Sequence, residues 1–172
     1  MSIGNLAKTA KVAALLAFLL PWVTFSCSGE TFARASGLDL AIGQITVADI
    51  NTGEPERETM SPVLPVLAAA ILLAAGLVAG FVMTSRRKNA VMAAAAGLAL
   101  ASSFYGISTL EDEMVRQARE SDTADSYGMS EGIARQIRVQ EQAGYWFALA
   151  AMLSATVLAG AAASGMRLSR ED

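Results

Sequence analysis

The chain of 172 residues has no histidine and only one cysteine. Because these two residues are the usual ligands of structural zinc, and histidine a common ligand of haem, a typical zinc or haem site is not expected. A single thiol cannot form an internal disulfide. The usual nucleophilic triads are also excluded, since they need a histidine base. We therefore predict a protein that is not an enzyme, with no catalytic, cofactor-binding or metal-binding residues.

Charged residues are scarce as well. They make up 17% of the chain, whereas about 25% is usual for a soluble domain. The deficit is concentrated in long uncharged windows, and no charged residue lies between Glu58 and Arg86. A helix needs roughly 20 apolar residues to cross a bilayer, so this window is long enough. The composition predicts an integral membrane protein.

Four such windows predict transmembrane helices over residues 10–27, 62–84, 89–109 and 143–166. The predicted fold is an all-α bundle of four transmembrane helices, forming one domain over residues 1–172. The first window has an alternative interpretation, a cleaved signal peptide, because a basic start and an apolar run are typical of both. At the second window, Ser61 is the predicted helix cap and Pro62 the first helical residue.

Basic residues lie near the predicted inner ends of these helices. Lys8 and Lys11 lie at the start of the first helix, residues 86–88 separate the second from the third, and Arg167 and Arg170 follow the fourth. Lysine and arginine near a span stay on the cytoplasmic side, so both termini are predicted to be cytoplasmic. The outer loops are rich in carboxylates, which argues against a nucleic-acid partner.

The two outer loops cover residues 28–61 and 110–142. In the first, alternating and β-branched stretches at 31–35 and 38–47 predict a small β-hairpin or sheet. In the second, helix-forming residues at 111–121 and 130–142 predict a helical hairpin that continues the third and fourth spans.

Small residues at helical spacing are candidate positions for helix packing or an oligomer interface. They are Gly76, Gly80, Gly97 and Gly160. Glycine allows close approach of helix backbones in lipid. The alternatives are packing within the protein's own bundle and mere richness in alanine and glycine. Apart from Lys11 at the edge of the first, no Asp, Glu, Lys or Arg lies within the predicted spans, which disfavours a transport pathway.

Aromatic residues cluster near the predicted outer membrane boundary. Trp22, Tyr105, Tyr145 and Trp146 are predicted interface anchors, since tryptophan and tyrosine are enriched at that level. Cys27 lies where the first span leaves the membrane. It is a possible reactive or intermolecular thiol, and the alternative is a cysteine that is simply packed.

Three segments carry a resemblance to known proteins: PWVTFSC at 21–27, ASGLDLA at 35–41 and GYW at 144–146. Together they resemble a group of uncharacterised bacterial four-span membrane proteins, with a PWVxxSC-like motif at the end of helix one. The resemblance implies a multi-pass protein of the bacterial inner (cytoplasmic) membrane and no particular activity. The layout is also similar to claudin-type proteins, but claudins carry two cysteines in the first outer loop and this chain has only Cys27.

The predicted function is that of a non-catalytic accessory or scaffolding subunit in a larger membrane assembly. Its expected partners are membrane lipid and either another membrane protein or further copies of itself. Two alternatives remain open. One is a periplasm-facing sensor or adhesion protein that binds through the outer loops, and the other is an oligomeric channel or transporter.

Overall fold

The structure consists of long helices and an antiparallel sheet. The computed structural model describes residues 3–27, 30–48, 55–83, 87–110 and 137–164. Within these ranges there are five helices and five strands. The helices are α1 (Ile3–Ala17), α2 (Gly37–Ile42), α3 (Leu64–Val82), α4 (Arg87–Ser108) and α5 (Ala143–Ala163). The strands are β1 (Pro21–Cys27), β2 (Glu30–Ser36), β3 (Gln44–Ala48), β4 (Pro55–Thr59) and β5 (Ile137–Glu141). The prediction of an all-α four-helix bundle is therefore wrong.

The sheet has the strand order β4-β3-β2-β1-β5, and every neighbouring pair is antiparallel. It is larger than the predicted hairpin because β1 and β5 come from segments that were predicted to be helical. Residues 38–47, predicted as β-structure, divide into the helix α2 and the strand β3. Residues 111–136, most of the predicted helical hairpin, lie outside the described residues.

The first predicted span, 10–27, is also wrong, because α1 ends at Ala17. The Leu20 amide donates to the Ala17 carbonyl at 3.2 Å, which tightens the last turn of α1. Pro21 follows, and a proline cannot continue the helical hydrogen-bond ladder. The β-branched and aromatic residues after it suit a strand. In consequence Lys8 and Lys11 lie in the middle of α1 instead of at the inner edge of a span.

Three helices, α3, α4 and α5, are long and apolar enough to cross a membrane, with mean hydropathies of 2.4, 1.7 and 1.8. They correspond to the second, third and fourth predicted spans. The start of α3 differs in detail, because Val63 is the N-cap without a side-chain hydrogen bond and Pro65 lies in the first turn. Large apolar side chains on the outer surface of α3, such as Ile71 and Phe81, are exposed. Such a surface suits contact with lipid.

Close packing of the helices depends on small side chains. A Cβ atom added to Gly76 in α3 would lie 2.8 Å from the Ala95 Cβ of α4 and 2.6 Å from the Lys11 Nζ of α1. One added to Gly80 would lie 2.6 Å from the Met92 Sδ. Met92 is flexible, whereas Ala95 is not. A larger side chain at Gly76 of α3 would therefore overlap both α1 and α4.

We expect Gly76→Ala to lower the free energy of unfolding by about 1–3 kcal/mol, because the added methyl group has no room. Gly160→Ala is the matched control, since no heavy atom lies within 4 Å of its added Cβ. That variant should be as stable as the wild type or more stable by up to about 1 kcal/mol, because alanine favours a helix more than glycine does. Thermal unfolding of both variants in the same detergent measures the difference. Equal stabilities would contradict this account of the packing.

Candidate functional site

Trp22 fixes the sheet to the ends of the helices. Its indole is fully buried, with ring centroids 4.4 Å from Phe18 and 5.6 Å from Tyr145. The indole Nε1–H donates to the Ala17 carbonyl at 2.9 Å, which satisfies a terminal carbonyl of α1. A Cβ at Gly37 would lie 2.5 Å from the indole ring, so glycine is needed at the start of α2. One side chain thus joins α1, α2, α5 and β1.

Backbone hydrogen bonds add to this attachment. The Gln142 amide donates to the Trp22 carbonyl at 2.7 Å, just before α5 begins. The Leu38 amide donates to the Phe18 carbonyl at 2.8 Å, and the Val63 amide donates to the Leu40 carbonyl at 2.9 Å. These bonds connect α2 to the end of α1 and to the start of α3. The sheet is therefore held in a fixed position relative to the apolar helices.

The register of the sheet places one polar residue of each strand in a single row. Gln140, Thr24, Arg34, Thr46 and Arg57 are consecutive cross-strand partners from β5 to β4. Directly opposed residues point to the same side of a sheet. Arg138, opposite Ser26, lies on that side too. We call this surface the arginine face, made by Thr24, Arg34, Thr46, Arg57, Arg138 and Gln140.

The opposite side of the sheet carries the core residues and the glutamates. Val23, Phe25 and Ile45 are buried there. Glu141 is paired with Val23, Glu58 with Ile45, and Glu56 with Val47. The charged side chains described on the strands are therefore sorted by sign, with arginines on one side and glutamates on the other. The sequence does not reveal this, because the two predicted outer loops are acidic as a whole.

A groove of about 300 Å³ opens on the arginine face beside the end of α1. Strands β2 and β3 share only two residue pairs, because α2 lies between them in the chain and carries it away from the sheet. Six of the lining residues define its character: Arg34, Thr46, Arg57, Asp39, Leu19 and Leu38. The groove thus combines cationic, hydroxyl and apolar groups.

Asp39 has a structural role at the edge of this groove. Its Oδ2 accepts hydrogen bonds from the Ser36 amide at 3.0 Å and from the Ser36 hydroxyl at 2.7 Å. The Asp39 amide donates in return to the Ser36 Oγ at 3.0 Å, which completes a capping box for α2. Asp39 is half-buried, whereas Arg34 and Arg57 are exposed.

The four glycines predicted as packing or interface positions do not share one surface. Gly76 and Gly80 are buried on the side of α3 that packs against its own chain. Gly97 is half-buried, and its added Cβ would lie 3.6 Å from Thr156 of α5. Gly160 has open space around it. A role for these positions in an interface between chains stays a prediction.

The predicted aromatic anchors divide into two groups. Trp22 and Tyr145 are buried against each other in the core, while Tyr105 and Trp146 are 62% and 56% exposed. Only the second pair reaches the outer surface of the helices. The side chain of Cys27 lies outside the described part of the structure, so its reactivity stays a prediction.

Sequence reasoning missed a buried cation in the bundle. Lys11 is 0% exposed, and its Nζ has no hydrogen-bond partner among the residues that the structure describes. The sequence spacing could have indicated this burial, because residues three or four apart share one face of a helix. The buried residues of this face are Ala7, Lys11, Ala14 and Phe18. The predicted start of the first span divides this helical face between a cytoplasmic segment and a transmembrane helix.

We expect Lys11→Met to raise the free energy of unfolding by about 1–4 kcal/mol, because an apolar side chain of similar length replaces a buried amine that has no hydrogen-bond partner among the described residues. Lys8→Met is the matched control on the same helix. The Lys8 Nζ lies 4.6 Å from the centre of the Phe81 ring, so its removal should cost about 0.5–1 kcal/mol. Chemical unfolding in detergent compares the two. A loss of stability in Lys11→Met would show that Lys11 has a partner in the folded protein.

Known families provide no further guide to the site. No protein-family model matches the chain, and no curated protein matches it. The function is therefore inferred from the geometry described above.

Proposed function

We propose that this chain is a non-catalytic integral protein of the bacterial inner membrane that serves as an accessory or scaffolding subunit of a larger membrane assembly. Three helices of sufficient length and hydropathy support membrane insertion. The expected partners are membrane lipid around these helices and either a second membrane protein or another copy of the chain.

The positions of the basic residues support the proposed orientation of the protein in the membrane. Arg87 and Lys88 begin α4 at the end of the helices that lies away from the sheet, and Lys8 lies in the first half of α1. Basic residues at one end of a bundle favour the cytoplasmic side. In this orientation the sheet lies on the outer side of the membrane, and both termini are cytoplasmic.

The observation that carries the proposal is the rigid connection between the sheet and the helices. Gln142 alone separates β5 from α5, and Trp22 fixes the start of β1. A surface held at constant height above a bilayer suits lasting contact with a neighbouring protein. The arginine face gives that surface a positive charge, which complements an acidic partner.

Extraction of the tagged protein from its own membrane in polymer nanodiscs tests this proposal. We expect a stoichiometric partner to co-purify, and Arg138→Glu to reduce its recovery by about tenfold, because one like-charge contact costs at least about 1.4 kcal/mol. Glu141→Gln is the control, since it alters the opposite side of the same strand. A wild-type protein that purifies alone as a monomer would refute the subunit role.

The groove favours a second candidate, a periplasm-facing sensor or adhesion protein that binds through its outer part. Its volume of about 300 Å³ lies at the lower end of the range typical of small-molecule pockets. In this case deletion of the gene would impair the response to envelope stress, and Arg34→Gln would reproduce the defect without loss of folded protein.

Lys11 favours a third candidate, an oligomeric channel or transporter, because ionisable groups within a helix bundle often mark ion pathways. We expect such a protein to conduct anions when reconstituted in liposomes. Lys11→Met should lower the anion flux by at least about tenfold, because it removes the only buried charge among the described residues and with it the attraction for an anion. Flux equal to that of empty vesicles would remove this candidate.

A further inference from the structure

We propose that the groove on the arginine face binds the phosphate group of an anionic phospholipid from the outer leaflet of the membrane. The inference rests on the proposed function in one respect only, the placement of the sheet at the outer membrane surface. It adds a ligand class and a binding site to that proposal.

The polar part of the groove has the geometry of a phosphate clamp. Arg34 and Arg57 lie on the two sides of Thr46 in the cross-strand row. Neighbouring strands are about 4.8 Å apart, so the two arginine backbones are separated by about 10 Å. Both side chains can reach a phosphate held between them, and guanidinium groups bind phosphate oxygens in a bidentate manner. The Thr46 hydroxyl provides a further donor.

The charge of the groove favours a phosphodiester. Two arginines and one carboxylate, Asp39, line it, and Asp39 is engaged in the cap of α2. The resulting charge of one positive unit matches the single negative charge of a phospholipid phosphodiester. A ligand between the arginines also offsets the repulsion between two like charges on one side of the sheet.

The apolar part of the groove indicates that the phosphate belongs to a lipid. Leu19 and Leu38 line it and are 61% and 41% exposed. They lie next to the end of α1 and in α2, which is bonded through Leu40 to the start of the apolar helix α3. An acyl chain at this level would remove both leucine side chains from water, whereas free phosphate would leave them exposed.

Native mass spectrometry of the full-length protein from nanodiscs, with phosphatidylglycerol titrated against phosphatidylcholine, tests the site. We expect wild type to retain phosphatidylglycerol and Arg34→Gln/Arg57→Gln to bind it at least about tenfold more weakly, since charge-assisted hydrogen bonds are lost. Arg138→Gln removes the same charge from the same side of the sheet but outside the groove, and it should bind within about twofold of wild type. An equal loss of phosphatidylglycerol binding in Arg138→Gln would indicate non-specific attraction to positive charge on the sheet and would overturn the proposal.

A second arm distinguishes lipid from free phosphate. We expect Leu19→Ser to weaken retention of phosphatidylglycerol by about threefold to tenfold through loss of apolar contact, and excess inorganic phosphate to leave the lipid bound. Displacement by inorganic phosphate together with full retention in Leu19→Ser would overturn the proposal in favour of a soluble anion. All the substituted side chains are exposed, and unchanged thermal unfolding of each variant establishes that it is folded.

The proposed lipid site and the proposed function can be refuted independently. Flotation of the protein with liposomes reports insertion in the bilayer, and partner recovery with Arg138→Glu reports the subunit role. Loss of selectivity for phosphatidylglycerol in an inserted protein that still recovers its partner would refute the lipid site alone.

Discussion

The buried indole of Trp22 is the interaction on which the architecture depends. It lies where the chain changes from helix to strand, and its N–H closes the end of α1 by bonding the Ala17 carbonyl. Its backbone carbonyl accepts the Gln142 amide and so places β5 and α5 beside β1. The backbone hydrogen bonds from Leu38 to Phe18 and from Val63 to Leu40 strengthen this attachment. Gly37 is constrained by the same ring, because any larger residue would overlap it.

A fixed sheet register follows from that attachment, and the register determines where the charges lie. Side chains alternate between the two sides of a strand, so a shift of one residue would exchange Arg57 with its glutamate neighbours. The burial of Val23 and Phe25 on the opposite side makes such a shift costly. The positive face of the sheet is therefore a consequence of core packing.

Lys11 is the feature that conflicts most with local physical rules. A buried amine without a hydrogen-bond partner among the described residues is unfavourable, yet the Lys11 Nζ lies between α1 and α3, beside Gly76. Features that violate such rules are common at functional positions. The bundle therefore offers a second region of interest, separate from the sheet and its groove.

The sequence by itself determined the three apolar helices to within a few residues, because a long uncharged window is a local property that needs no partner to be recognised. It did not determine the state of residues 21–27, whose apolar and β-branched composition suits either a helix end or a strand. The tertiary structure decided it, since β1 needs β2 on one side and β5 on the other, and Ser26 meets Arg138 112 positions later. The arginine face and its groove depend on the same long-range pairing. No pattern within a single segment could have placed Arg34, Thr46 and Arg57 in one row.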